Sequence, residues 1–190
     1  GVSQVNLYMH ELLLERGINP KVINTAPPFT NVKKRRIFEF LAKIMHRLVF
    51  CVFKLIYTLC IDRSPVVYRA INSGKGQIYD VLYLSICRLF KRTIIIHHHS
   101  FSYLRRKKKL FSLLALVAGS DAKHIVLSNK MGECLTQLYS IKPESCLLLP
   151  NLSFFSKAEF DRGIRRDNNL VIGHLSNLSV EKGLGTFLEL

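Results

Sequence analysis

The chain has 190 residues, is 48% apolar and carries a formal net charge of +15. That is material for one ordinary domain plus a remnant, and it excludes general disorder. The charge favours an anionic partner (nucleotide phosphate, nucleic acid or an acidic membrane surface) without choosing among them. Cys51, Cys60, Cys87, Cys134 and Cys146 form no C-x-x-C pair and sit in apolar runs. Buried free thiols in a reducing compartment are therefore expected, not disulfides or a zinc site.

In chain order, Ser3 is expected to cap a helix with Val5, Tyr8, Met9, Leu12 and Leu13 on its apolar face. Gly17 stops that helix, and Asn19-Pro20 forbids continuation. A short strand over 21–26 and a long helix over about 32–61 follow. Strands are predicted at 66–71, 93–99, 124–127 and 146–149. Helices are predicted from Asp80 to about Lys91, over 104–118 and over 130–139, the last capped by Ser128-Asn129. Residues 152–169 are polar and irregular, like a linker, and a new strand begins at Leu170. Alternating strands and helices predict an α/β fold, a Rossmann-like parallel sheet with helices on both faces. Ligands of such sheets bind at the carboxyl ends of strands.

The helix between Lys33-Lys-Arg-Arg36 and Ile61 places Glu39, Lys43, His46, Arg47 and Lys54 on one stripe of an otherwise apolar surface. A membrane span needs about 20 mostly apolar residues. Lys43, Arg47 and Lys54 interrupt every window of that length, so a span is rejected. An interfacial helix on an anionic membrane, through 33–61, fits the pattern. An ordinary amphipathic helix packed on the sheet fits it equally, and both readings stay open here.

His97, His98 and His99 end the clearest strand. Successive side chains alternate faces, so His97 and His99 share one and His98 takes the other. This defeats a local three-histidine metal site, and no metal is expected. A histidine at a carboxyl-end crevice is instead placed to bond a hydroxyl-bearing substrate. Arg105-Arg-Lys-Lys-Lys109 is expected to open the next helix, where cations oppose the dipole. Phosphates, lipid head groups or plain solvation each account for it. Asn72-Ser-Gly-Lys-Gly76 lacks phosphate-loop spacing and reads as a strand-to-helix loop. No nucleic-acid-binding module is recognisable, so no nucleic-acid partner is expected.

The chain closes on Leu175-Ser-Asn-Leu-Ser-Val-Glu-Lys-Gly-Leu184 and a further short run to Leu190. This reads as a strand end, a turn with Lys182-Gly183, and the start of a helix. Backbone N–H groups, a helix dipole and an ammonium there suit an anion. A second domain is begun at 170–190 and is expected to be cut off there. The native N-terminus, with a first strand, is expected to precede Gly1.

Four segments together resemble one family. They are Gly1-Val-Ser with the helix ending Glu15-Arg-Gly17; Ile95-Ile-His-His-His-Ser100; Val126-Leu-Ser-Asn-Lys-Met131 with Tyr139 and Leu149-Pro-Asn151; and the 175–184 turn. In order and spacing they are similar to the GT-B-type retaining glycosyltransferases of family four. The long basic helix has no residue-by-residue counterpart. The resemblance implies two facing Rossmann-like domains: an acceptor-side domain at 1–151, a linker at 152–169, and the start of a donor-binding domain at 170–190. It implies transfer of a sugar, with retention and without a metal or other cofactor. The donor is a nucleoside-diphosphate sugar, and the acceptor is a polysaccharide or lipid-linked glycan at the cytoplasmic membrane face.

By position, His99 would contact the transferred sugar and Lys182 would neutralise the departing diphosphate, so both are catalytic candidates. Gly1, Asn177, Lys182 and Gly183 would bind the donor, and His97 and Ser100 would face the acceptor. Ser176-Asn177-Leu178 stands where the family often has an arginine, which puts its second cation in doubt. The family's paired glutamates lie outside this sequence, so activity is expected of the full-length parent and not of these 190 residues. The alternative is a non-catalytic, basic, membrane-associated Rossmann-like binding module.

Overall fold

The computed structural model describes residues 2–26 and 36–154, all within one compact unit spanning 1–156. The expected linker beyond Phe154 and the second domain, with Asn177, Lys182 and Gly183, lie outside the described residues, as does Gly1.

Helix α1 (Val2–Glu15) starts one residue before Ser3, which is therefore in the first turn and is not its cap. Gly17, at φ 75°, closes it: Gly17 N–H donates to the Leu14 carbonyl and Ile18 N–H to that of Leu13. A left-handed residue at that point is what glycine supplies cheaply. Val5 is buried, whereas Leu12 faces solvent. The strand expected over 21–26 is absent, and those residues are irregular.

Helix α2 (Arg36–Met45) runs through a π turn (His46–Phe50) into α3 (Cys51–Ile61). The parallel strands β1 (Val66–Ala70), β2 (Thr93–His97), β3 (Lys123–Val126) and β4 (Cys146–Leu148) lie side by side in chain order. Ala70 sits opposite His97, and Ile96 opposite His124. The crossovers are α4 (Gln77–Leu89), α5 (Lys109–Ala118) and α6 (Asn129–Tyr139). Ser128 caps α6, its side chain accepting the Met131 N–H.

Ile94, Ile96 and Val126 bury one sheet face against Leu84 and Cys87 of α4, Phe111 and Leu114 of α5, and Met131 and Leu135 of α6. On the opposite face Tyr68 reaches Asn6 of α1. The α/β architecture with a parallel sheet flanked by helices is thus as expected.

Several local expectations differ. Helix α5 begins at Lys109, so Arg105 to Lys108 form the turn before it and only Lys109 lies inside. The cations therefore oppose the dipole less than the sequence reading supposed. Asp80 is not a cap either. It lies in the first turn of α4, fully buried, and its carboxylate accepts from Arg69 Nε (3.0 Å), Arg69 Nη2 (2.7 Å), the Asn72 backbone N–H (2.7 Å) and Asn72 Nδ2 (2.9 Å). This ties the end of β1 to α4. Gly76 belongs to the same corner: a Cβ there would stand 2.8 Å from that of Asn72. Cys51 and Cys87 are buried free thiols as expected, but Cys60 is exposed on α3.

Candidate functional site

The carboxyl end of β2 brings together side chains from three elements. His97 is fully buried, and its Nδ1 lies 2.6 Å from the Tyr68 hydroxyl of β1. That hydroxyl donates to Asn6 Oδ1 of α1 at 3.2 Å. A phenol has one proton, so His97 Nδ1 carries the proton of the shorter contact and Nε2 keeps a bare lone pair. The His97 and His99 rings lie 4.0 Å apart, and the Nε2 atoms of both are buried without a hydrogen-bond partner. Burial, and then the neighbouring His99, push the His97 pKa down to about 4; burial also lowers that of His99. Burial raises the Tyr68 phenol to about 12. These groups are therefore neutral at pH 7. They can accept a hydrogen bond from a hydroxyl, but so weak a base does not retain a proton taken from one.

His98 points into the core on the other sheet face. Its Nδ1 meets the Tyr103 hydroxyl at 3.0 Å and its Nε2 meets His124 Nδ1 at 3.0 Å. The shared face of His97 and His99, and the opposite one of His98, follow the strand's two-residue period. Ser100 is part of a turn, its hydroxyl accepting the Ser102 N–H at 3.1 Å. The structure thus brings His97 and His99 together, with Ser100 following His99 in the chain. Gly1, Asn177, Lys182 and Gly183 lie outside the described residues.

Sequence reasoning missed Tyr68 and Asn6. The signal for Tyr68 was available: strand parity puts it on the same face as His97 once β1 and β2 are paired. Nothing in the sequence pointed to Asn6. Among the described residues no group of three or more His, Cys, Asp or Glu side chains is arranged to hold a metal ion.

The long helix has its own surface. Cys51 and Leu59 are buried against the domain, while Phe40, Met45, Phe50, Phe53, Tyr57 and Ile61 are more than half exposed. The Tyr83 hydroxyl donates to the Arg47 carbonyl in the π turn, and Arg47 lies 5.1 Å over the Tyr79 ring. Arg92 Nη2 donates to the Leu59 and Asp62 carbonyls. Leu59 joins the core cluster and Leu55 packs against it, so one face of α3 meets the domain while other side chains of the helix face solvent. Phe40–Ile61 is, by length and composition, apolar enough to cross a membrane, with mean hydropathy 1.8. Residues 44–61 contain only Arg47 and Lys54 as charged residues, and length and composition alone do not decide between a span and a surface helix.

No family model, curated protein or solved structure matches this chain.

Proposed function

We propose that the chain belongs to a GT-B-type retaining glycosyltransferase that uses a nucleoside-diphosphate sugar, and that residues 1–151 form its acceptor-side domain. The observation that carries this is the pair of neutral imidazoles, His97 and His99, with two unpartnered Nε2 atoms at the carboxyl end of a central parallel strand. A sugar presents hydroxyl donors, and a buried lone pair fixed by Tyr68 selects for them. In this reading His99 orients the transferred sugar and His97 the acceptor hydroxyl. Asn177, Lys182 and Gly183 hold the diphosphate, where a cation and free N–H groups meet growing charge. Gly1 sits near the donor phosphates, and no metal or other cofactor takes part.

The exposed apolar side of α2 and α3, flanked by Lys43, Arg47 and Lys54, supports peripheral attachment to an anionic membrane surface at the cytoplasmic face. Lying along the surface is favoured over crossing it. A span would pull Cys51 and Leu59 out of the domain and strip the Tyr83 and Arg92 contacts. A non-catalytic membrane module shares this attachment and lacks turnover.

The experiment is sugar transfer to a lipid-linked acceptor by the full-length protein, with two donors sharing one nucleotide. Lys182→Ala is expected to lower kcat on the order of 10²-fold or more with both donors, the scale of one lost preorganised contact. His99→Ala is expected to lower it to an extent that differs between the two sugars. Near-normal turnover in both variants defeats the catalytic reading; absence of any nucleotide-sugar turnover favours the binding module.

A further inference from the structure

The loop from β2 to α5 carries Arg105-Arg-Lys-Lys-Lys109, and the sequence from Val81 to Ser120 contains no acidic residue. One hydroxyl holds this basic run in place. Lys108 N–H donates to the Tyr139 hydroxyl of α6 at 2.9 Å, and that hydroxyl donates to the Tyr103 carbonyl, so both ends of the 103–108 turn are tied to one side chain. Leu104 N–H and Arg105 N–H close the turn on the Phe101 carbonyl, at 2.9 and 3.1 Å. Tyr103 and Leu104 are buried, the Tyr103 ring stacked 4.5 Å from that of Phe111. Outside the clamp stand Phe101, 43% exposed, and the side chains of Arg105, Arg106 and Lys107. A solvated charge run needs no fixed shape, whereas a fixed one meets a partner with less of its backbone left to order.

Position narrows the partner. The loop leaves the carboxyl end of β2, the end of the sheet that holds His97 and His99. The π turn reaches the same end, since Arg47 lies over the ring of Tyr79 in the first turn of α4. A cationic turn with an exposed aromatic therefore stands at the end where the exposed apolar helix is docked. Cations that meet lipid phosphates beside a ring that enters the headgroup layer are the pattern of a bilayer interface. A nucleic acid would use the cations, but it leaves the exposed aliphatic chains of Leu41, Met45 and Ile61 without a partner.

We propose that the turn from Phe101 to Lys107 is a second contact with an anionic lipid bilayer, and that it turns the carboxyl end of the sheet, with His97 and His99, toward the membrane. The inference rests on the peripheral attachment proposed above. It adds what attachment through α2 and α3 leaves open, namely which end of the domain faces the lipid. It does not depend on the glycosyltransferase reading.

These 190 residues contain no tryptophan, so a single introduced one reports its own place. The test compares Phe101→Trp, Phe53→Trp on α3 and Leu116→Trp in the full-length protein, with the parent as blank. The vesicles are phosphatidylcholine and phosphatidylglycerol with brominated acyl chains. Phe53 and Leu116 are both more than 70% exposed, and Leu116 lies near the end of α5, at the opposite end of the sheet from Phe101. Quenching is expected at 101 and 53 and not at 116. Changing Arg105, Arg106 and Lys107 together to glutamine should weaken partitioning roughly 100-fold at low salt, about fivefold per charge. Quenching at 53 without quenching at 101 would overturn the proposal and leave the attachment standing; no quenching at any position would overturn both. Equal quenching at 101 and 116 would mean no preferred orientation and would also overturn it. So would a triple variant that partitions like the parent, including one that has lost only the binding of a single-stranded RNA, which would assign the turn to nucleic acid.

Discussion

Lowering the pH should destabilise this domain through its buried histidines, and His124 allows the size to be worked out. Burial pushes its pKa from 6.5 down to about 4. Burial also lowers His98 well below its ordinary value, with the adjacent His124 as the next cause. Between pH 6.5 and 4 the unfolded chain binds more protons than the folded one, so stability rises with pH across that window and is lost as pH falls through it. At pH 4.5 the His124 contribution is about 2.5 kcal/mol of lost stability relative to pH 7. For a domain of this size that is a fall of roughly 5–10 °C in melting temperature. The assay is thermal unfolding followed by circular dichroism at pH 7 and pH 4.5. His124→Asn supplies the control, because its side-chain amide, which can donate or accept, can still bond His98 Nε2 while nothing there titrates. It should be less stable than the parent at pH 7 and lose about 2.5 kcal/mol less on acidification. An equal acid loss in parent and variant would refute the reasoning, because the charge would then be entering elsewhere.

Two further outcomes follow from other contacts. Asp80→Asn keeps the size of the side chain but leaves the Arg69 guanidinium, whose side chain is 17% exposed, without its carboxylate; about 3–5 kcal/mol should be lost in denaturant unfolding. Adding Arg69→Met should restore much of it, and a double variant as unstable as the sum of the singles would show that the pair is not coupled. Co-sedimentation with liposomes should rise with anionic lipid content, fall with salt, and weaken when Lys33, Lys34, Arg35 and Arg36 become glutamine. Equal binding to neutral and anionic vesicles would remove the electrostatic part of the attachment.

The four parallel strands were legible because β1, β2 and β3 carry β-branched residues and β4 is a short apolar run closed by Pro150-Asn151, and Ser128 announced α6 by a side chain that does cap it. The failures have local causes. Residues 21–26 have strand-like composition, but Asn24 accepts the Ala26 N–H on its side chain and Thr25 meets Arg69, so side-chain bonds stand where a ladder was expected. Arg105 to Lys108 looked like the first turn of a helix. Lys108 instead has extended backbone, with its N–H given to the Tyr139 hydroxyl, a partner 31 residues away that no local pattern reveals. Asp80 looked like a cap because aspartate before an apolar run usually is one. Its partner Arg69 sits on β1, and only the folded chain makes that pairing visible.

The three histidines show how far one strand's geometry carries chemistry. A helix would place adjacent residues about 100° apart and spread three rings over a single broad face. The strand sends His97 and His99 to the α1 side, where Tyr68 settles the tautomer of the first and both keep an unused nitrogen. It sends His98 into the core, where Tyr103 and His124 use both of its nitrogens. Neutrality has the same physical cause on both faces, since burial disfavours the charged ring. The consequences differ because the α1-side pair has unpartnered atoms at the strand's end, whereas both nitrogens of the core ring are taken. Changing the parity of this segment by one residue would exchange the two environments. His98 would then lose its core partners, and two rings without suitable acceptors would enter a core built around one. That cost restricts which residues can occupy 97–99 more tightly than the bonds of any one ring.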